Sequence, residues 1–302
     1  MRSIFNSLNI RQEFKKFYLS YPFLPIDTLI DYFSIFGGLE DYNILNLHGN
    51  SLKEALLEYI NNNDLKLPFF ATQDPFRKFL IQIARGDGKI ESSLNKVSIG
   101  QSFGSEIIEE LIKTDILYTV NSREKPIKKY YKQAIKKEFR AYQIQNKLIF
   151  TKPIYKFWFA FVEPLKDRHS RINIEKLYNN LKKYQNKLTY LVFEQLSCEL
   201  LKIYYKNGFN NCNSYWDIHS EFDIYTRTKD DKIIVGECKY TNRPITKAEL
   251  LKLERKIEQS NLRADTIALF SKSGFSMELN KSKSDKLLLF KLEDFKALLD
   301  TF

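Results

Sequence analysis

Three ionisable residues in the last third of the chain, Asp223, Glu237 and Lys239, have types and spacing that suit phosphate chemistry. Glu237 and Lys239 lie two positions apart in the run 232–240 (KIIVGECKY), which begins as a continuous apolar stretch and is typical of a buried central strand. Side chains two apart leave the same face of a strand, and a buried carboxylate or ammonium is costly unless it is paired. The pattern therefore predicts a functional pair.

Asp223 lies one hairpin before Glu237, in a strand predicted over residues 221–227. Alternation places Phe222 and Ile224 on one face of that strand and Asp223 on the other. The carboxylates of Asp223 and Glu237 are therefore expected to converge. Two such oxygen ligands suit Mg²⁺ or Mn²⁺, which activates a bound water and neutralises a scissile phosphate. Lys239 would orient that water or stabilise the developing negative charge.

The elements around this pair predict an α/β domain over residues 172–302. A long helix is predicted over residues 173–206, with one break near Asn186, and Thr246 is expected to cap a second helix that ends near residue 261. A closing helix is predicted over residues 292–298. Besides the two strands already described, further strands are predicted near 215–216 and at 266–270 and 287–290.

The first half of the chain predicts two further regions, a helical one over residues 1–72 and a winged-helix-like domain over residues 73–165. In the second, apolar stripes predict three short helices, followed by strands at 116–120 and 147–150. This layout is typical of proteins that set one helix in the major groove of DNA and lysines on its phosphates. The lysines between the two strands are the candidate DNA contacts: Lys125, Lys128, Lys129, Lys132, Lys136 and Lys137.

The charge balance favours an anionic partner. Lysine and arginine number 48 against 37 acids, a formal charge of +11, and such a surplus indicates nucleic acid unless it reflects a compositional bias. No apolar run reaches the roughly 18 residues of a membrane helix, and no secretory signal is recognisable. Three cysteines argue against a disulfide scaffold and predict a cytoplasmic protein. Residues 86–89 (GDGK) lack the rest of a phosphate-binding loop, which excludes an autonomous ATPase of that class.

Residues 221–223 (EFD) and 234–239 (IVGECK) resemble the D…E-x-K core of the PD-(D/E)XK nuclease superfamily. That resemblance implies a restriction-endonuclease-like mixed sheet flanked by helices, a divalent metal and phosphodiester cleavage. It also implies that Glu194, on the helix before the sheet, completes the metal shell. The polar residue that the family carries on the next helix would fall on Gln259 or, as a second choice, on Lys256; Glu221 is a further candidate.

The order of motifs along most of the chain is also similar to the C-terminal part of archaeal-type ATPases that end in such a nuclease-like domain. The similar stretches are 36–39 (FGGL), the winged-helix region, 157–162 (FWFAFV) and the nuclease-like core. The ATPase core itself has no counterpart in the sequence. A separate ATPase and a second copy of the chain are further candidate partners.

The sequence as a whole predicts a metal-dependent DNA endonuclease that holds DNA through its winged-helix unit. The rival hypothesis is a non-catalytic DNA-binding regulator or scaffold that retains a nuclease-like fold. A third is a toxin-like or defence effector that works with a separate ATPase.

Three alternatives concern the residues themselves. Glu237 and Lys239 would be a solvated pair if their strand lay at the edge of the sheet. A zinc site at Cys198, Cys212, Cys238 and His219 is disfavoured because their spacing lacks the short Cys-x₂₋₄-Cys element. The stretch 125–142 would suit a membrane surface only weakly, because its apolar face is thin.

Overall fold

A computed structural model describes residues 10–49, 51–62, 65–126, 130, 132–135, 137, 140, 142–166, 171–206, 208–209, 211–218 and 220–300. The chain divides into two compact units. Unit 1 comprises Met1–Thr119, Leu148–Leu196 and Lys296–Phe302, and unit 2 comprises Val120–Lys147 and Ser197–Phe295. This division groups the residues differently from the three-part division into 1–72, 73–165 and 172–302, which stays a prediction.

Unit 1 begins with three amphipathic helices, as the apolar spacing predicts. They are α1 (Ile10–Ser20), α2 (Ile26–Phe36) and α3 (Leu52–Asn62). Phe14 and Phe17 of α1 pack edge-on or tilted against Phe33 of α2, with ring centroids 5.2 and 5.7 Å apart. The backbone N–H of Ser51 donates to the Glu54 carboxylate at 2.7 Å, which satisfies an amide at the start of α3.

The predicted order of three helices followed by two strands is present in the structure. It runs through α4 (Phe76–Arg85), α5 (Ile90–Lys96), α6 (Gln101–Lys113), β1 (Leu117–Val120) and β2 (Lys147–Phe150), and the two strands form a two-stranded sheet. Ile107 and Leu111 of α6 are fully buried. Gly100 is the N-cap of α6, and the Ser105 hydroxyl donates to the Gln101 carbonyl within the helix.

Two helical segments follow β2. A short helix α7 (Pro153–Phe157) continues into a buried π-helical turn at Trp158–Val162, and α8 (Ile174–Tyr204) is one uninterrupted helix. The break expected near Asn186 is therefore wrong. Leu181 and Leu188 are buried on either side of the exposed Asn186, so the buried apolar face of α8 continues past it. Asn186 affects the helix only through its modest helix propensity. Among the described residues, no helix is long and apolar enough to cross a membrane.

Unit 2 contains a five-stranded mixed sheet, as predicted. The strands are β3 (Cys212–Trp216), β4 (Glu221–Arg227), β5 (Ile233–Lys239), β6 (Thr266–Ser271) and β7 (Leu287–Lys291), in that spatial order. The pairs β3–β4 and β4–β5 are antiparallel, and β5–β6 and β6–β7 are parallel. The strand β5, which carries Glu237 and Lys239, lies at the centre of the sheet. The edge-strand alternative is wrong.

The helices of unit 2 cover this sheet. Thr246 and Glu249 form a capping box that starts α9 (Lys247–Gln259), which confirms the predicted cap. A buried cluster joins Leu253 and Ile257 of α9 to Val235 of β5. The short helix α10 (Met277–Lys281) precedes β7, and the predicted closing helix is the 3₁₀ segment Leu292–Leu298.

The strand β4 departs from the regular alternation that the sequence suggests. Asn213 of β3 pairs with Tyr225 of β4, and Tyr215 pairs with Phe222. Two steps along β3 therefore correspond to three steps along β4, so β4 carries one extra residue there. Phe222 consequently packs in the same cluster as Val235, and Ile224 is not part of that cluster. The expectation that Phe222 and Ile224 share a face is wrong, because a bulge shifts the alternation of one strand against its partner.

The cysteines also correct the sequence analysis. Cys198 of α8 and Cys212 of β3 form a disulfide, with Cα atoms 5.6 Å apart. Cys238 is buried with a free thiol. The odd number of cysteines misled the sequence argument, because it does not show which two side chains the fold brings together. The zinc alternative loses two of its ligands to this bond, and His219 lies outside the described residues.

We expect Gly236→Ala in β5 to destabilise the protein. A Cβ atom at Gly236 would lie 2.6 Å from the Ala268 carbonyl oxygen and 3.1 Å from the Ile224 Cβ, so backbone of β6 would have to move. Such overpacking costs about 1–3 kcal/mol. Thermal unfolding followed by circular dichroism measures the change. Lys229→Ala, in the exposed turn between β4 and β5, is the control; equal midpoints for the two variants would contradict this packing of the sheet.

Candidate active site

Asp223 lies in the bulged part of β4, next to the centre of β5. Ile224 of β4 pairs with Gly236 of β5. Because the strands are antiparallel, Asp223, just before Ile224, and Glu237, just after Gly236, are the next residues in the same direction along the two strands. The backbone N–H of Cys238 donates to the Asp223 carboxylate at 2.7 Å. Bulges commonly re-aim a side chain, and here the carboxylate of one strand is bonded to the backbone of the next. The Asp223 carboxylate is thereby held against the β5 backbone between Glu237 and Lys239.

Glu237 and Lys239 form a direct pair on β5. The Lys239 Nζ lies 2.6 Å from one Glu237 carboxylate oxygen, and the exposed fractions of the Lys239 and Glu237 side chains are 30% and 17%. Cys238, between them, is fully buried on the opposite side. The pairing of Glu237 with Lys239 offsets the cost of removing two charges from water, which an unpaired ion in a central strand would bear in full.

The helix α9 supplies a second amine. The Lys256 Nζ lies 3.4 Å from the other Glu237 carboxylate oxygen and donates to the Glu221 carbonyl at 3.2 Å. Gln259, the first choice of the sequence analysis for this helix, instead lines a separate cavity of about 580 Å³ together with Tyr215 and Tyr225. The structure brings Lys256, and not Gln259, to Glu237.

The pKa of the Lys239 amine is raised, so the amine keeps its proton. Burial lowers its pKa, but the hydrogen bond and charge of Glu237, with the charges of Asp223 and Glu249, outweigh burial and raise the pKa above the ordinary lysine value. At neutral pH Lys239 is therefore an ammonium that donates hydrogen bonds. It can stabilise negative charge, and it does not serve as a general base.

A cavity of about 220 Å³ opens beside Glu237 and Lys239. Glu249, Lys252 and Lys256 of α9 line it as well. Lys252 is not among the residues predicted for the site. Its signal is the spacing of Lys252 and Lys256, which lie one helical turn apart just after the E-x-K strand and thus share a helix face. The cavity therefore combines two carboxylates with three amines, which suits a ligand that carries negative charge.

Glu221 lies at the rim of this region and does not join the pair. Its side chain is 54% exposed and is bonded to the Lys147 ammonium, which is only 7% exposed. Lys147 also lies over the Trp216 ring, 4.4 Å from the centroid. The Glu221 carboxylate is thus the counter-ion of a buried lysine, a structural role that the sequence alone does not reveal.

The other predicted residues are described by their own surroundings. Glu194 lies half-buried on α8 within unit 1. Of the lysines predicted to contact DNA, Lys125, Lys132 and Lys137 are exposed, and Lys128, Lys129 and Lys136 lie outside the described residues. Within the described part of the chain, no group of three or more His, Cys, Asp or Glu residues could hold a metal ion.

We expect Asp223→Ala to expose the Cys238 amide to exchange with solvent. Removing the carboxylate deletes a charge-assisted hydrogen bond worth about 1.5–3 kcal/mol, so exchange of this amide should accelerate by about 10- to 100-fold. Amide hydrogen exchange measured by NMR reports it. Asp230→Ala, in the exposed turn between β4 and β5, is the control. Unchanged protection of Cys238 in Asp223→Ala would disprove the bond.

A family model matches part of the chain. Residues 158–255, about a third of the chain, match DUF234, a family described as archaeal and bacterial proteins of unknown function. The matched segment includes Asp223, Glu237 and Lys239 and ends within α9, one residue before Lys256. No curated protein and no solved structure matches the chain. In residues 158–255, which contain most of the candidate site, the chain is similar to this family.

Proposed function

We propose that the protein is a metal-dependent nuclease of the PD-(D/E)XK type that hydrolyses DNA at the pair of strands β4 and β5. One observation carries the proposal: Glu237 and Lys239 pair with each other on the central strand, and the Asp223 carboxylate is bonded to the amide of Cys238 between them. Partly buried charges that converge on a cavity are a common feature of active sites. The match to DUF234 adds a family context without an activity.

The carboxylates of Asp223 and Glu237 suit Mg²⁺ better than they suit a metal that needs a closed protein cage. Mg²⁺ is usually bound through one or two carboxylates, with water and substrate phosphates as its other ligands. Asp223 and Glu237 would hold it, and a cation would compete there with the amines of Lys239 and Lys256. Bound Mg²⁺ supplies Lewis acidity and a more acidic bound water. Mn²⁺ has the same oxygen preference.

The protein's own side chains would act on the substrate through charge and position. Lys239, which stays protonated, would donate to the phosphate as negative charge develops on its oxygens. Lys252 and Lys256 would hold neighbouring phosphates of the strand at the cavity. Asp223, fixed by the Cys238 amide, would need little rearrangement when substrate binds.

DNA is the proposed substrate because of charge and element order. The formal charge of +11 favours a polyanion. The order α4, α5, α6, β1, β2 is that of a winged helix, a layout that contacts DNA in many proteins. Lys125, Lys132 and Lys137, exposed between β1 and β2, would contact phosphates.

We expect the wild-type protein to nick plasmid DNA in Mg²⁺ and Lys239→Gln to be about 10²- to 10³-fold slower. The variant keeps much of the side-chain length but loses the charge that stabilises the transition state. Initial rates of nicking, with and without EDTA, measure the effect. Lys229→Gln, in the exposed turn after β4, should retain wild-type rates. Equal rates for both variants at unchanged thermal midpoints would remove Lys239 from the mechanism.

A second function is favoured by one specific observation. Both carboxylate oxygens of Glu237 are paired with amines, and the described residues hold no three-ligand metal cluster. The same cavity would then bind a phosphate without cleaving it. In that case the protein is a DNA-binding regulator or scaffold that retains a nuclease-like fold. No cleavage in Mg²⁺ or Mn²⁺, together with salt-sensitive DNA binding, would favour this function over the nuclease.

Both functions predict that the exposed lysines between β1 and β2 contribute to DNA affinity. Changing Lys125, Lys132 and Lys137 to Ala should weaken binding and reduce the slope of log affinity against log salt by about 0.9 for each phosphate that the protein no longer neutralises. Fluorescence anisotropy over a salt series measures the slope. The control is the variant with three exposed lysines near α10 changed to Ala: Lys281, Lys283 and Lys286. Equal slopes for the two variants would exclude a DNA-contacting role for the first three.

A further inference from the structure

Unit 1 contains a cavity that the proposed nuclease chemistry does not use. Its volume is about 450 Å³, and it lies between the C-terminal end of α4, the α7 and π-helical segment, and the first half of α8. All of its lining residues belong to unit 1. The volume is within the roughly 300–1,000 Å³ of typical small-molecule sites.

The charges in this cavity are all positive. Arg85, Lys156 and Lys187 line it, and no carboxylate occurs among the described residues that line it. Cationic side chains that line one cavity create a positive potential there, which attracts an anion. The cavity therefore favours a negatively charged ligand.

Arg85 is held in a fixed orientation at the wall. Its Nε donates to the Ala160 carbonyl at 3.0 Å. Ala160 lies in the π-helical turn Trp158–Val162, and such turns frequently occur at functional sites. A guanidinium has five N–H donors, and its outer nitrogens form the fork that matches a phosphate. The bond from Nε sets the plane of that fork.

Tyr184 of α8 provides an aromatic surface beside the cations. The ring is 39% exposed, and the Lys187 Nζ lies 5.6 Å from its centroid. A hydrogen bond from Lys183, with the charges of Lys183 and Lys187, lowers the pKa of the Tyr184 hydroxyl. Asn180 lies one turn earlier on the same wall. Aromatic rings next to cationic groups are the usual platform for stacked bases.

We propose that this cavity binds a nucleoside phosphate. The phosphate would bind Arg85, Lys156 and Lys187, the base would stack on Tyr184, and the Asn180 amide would hydrogen-bond to a base edge. The same chemistry occurs in a free nucleotide and in the 5′-phosphorylated end of a nucleic-acid strand. The proposal does not depend on nuclease activity, because none of these residues belongs to the candidate active site.

Isothermal titration calorimetry of the full chain with adenosine monophosphate tests the proposal. We expect measurable binding of this nucleotide and at least tenfold weaker binding of adenosine, which lacks the phosphate. Lys187→Ala and Arg85→Ala should each weaken nucleotide binding at least tenfold. Lys182→Ala is the matched control, since Lys182 is an exposed lysine on the same helix that does not line the cavity. It should change the affinity less than twofold.

A second titration distinguishes the two sources of the ligand. If a 5′-phosphorylated oligonucleotide binds more tightly than both the unphosphorylated oligonucleotide and the mononucleotide, the site recognises a strand end. Preference for the mononucleotide identifies a free nucleotide as the ligand.

Three results would overturn the proposal. They are no binding of adenosine monophosphate at millimolar concentration, adenosine binding as tight as that of the nucleotide, and equal losses of affinity in Lys187→Ala and Lys182→Ala. Thermal midpoints check the folding of each variant. Because Lys187 is exposed on α8, Lys187→Ala decides the question even if Arg85→Ala does not fold.

Discussion

The site in unit 2 depends on one constraint: charged groups in the central strand of a sheet must be paired. The strand β5 is flanked on both sides, by β4 and β6, so its backbone N–H and C=O groups are hydrogen-bonded within the sheet. Glu237 and Lys239 nevertheless lie on this strand, and each is bonded to the other. The Asp223 carboxylate meets the same requirement through the Cys238 amide. Each of these contacts satisfies a group that would otherwise destabilise the fold.

The topology of the sheet explains why the pair lies near the end of β5. The strands β5, β6 and β7 are parallel, so their carboxyl ends meet at one edge of the sheet. Ligand sites of open α/β sheets lie outside the carboxyl ends of the strands. Glu237 and Lys239 are the last residues of β5 on their face, and α9 returns over them with Lys252 and Lys256. The helix α9, which connects the parallel strands β5 and β6, thus adds amines to the Glu237 and Lys239 side chains of β5.

Much of this arrangement could be predicted from local sequence. The apolar run that begins β5 indicates a central strand, and the Thr246 and Glu249 spacing indicates the capping box of α9. Both signals reside in one element and need no knowledge of its neighbours. The bulge in β4 is different, because its position depends on the pairing with β3.

Two other errors share that cause. The Cys198–Cys212 bond joins a helix to a strand, and the contact of Lys256 with Glu237 joins another helix to the sheet. Neither partner can be identified from spacing within a single element. The roles of Glu194 and of the lysines between β1 and β2 stay predictions, because they concern binding that the fold alone does not decide.

The charges that line the cavity beside Glu237 and Lys239 also affect how a metal ion and a phosphate would bind there. Lys239 and Lys256 occupy the two oxygens of Glu237, so a cation that binds Glu237 takes this carboxylate away from both amines. A phosphate alone has the opposite effect, because it draws the amines away from the carboxylate. Each single event leaves partly buried charge unpaired, which is unfavourable. A cation and a phosphate that bind together keep every charge paired. Under the proposed function, metal and DNA would therefore bind cooperatively, each raising the affinity for the other by the same factor.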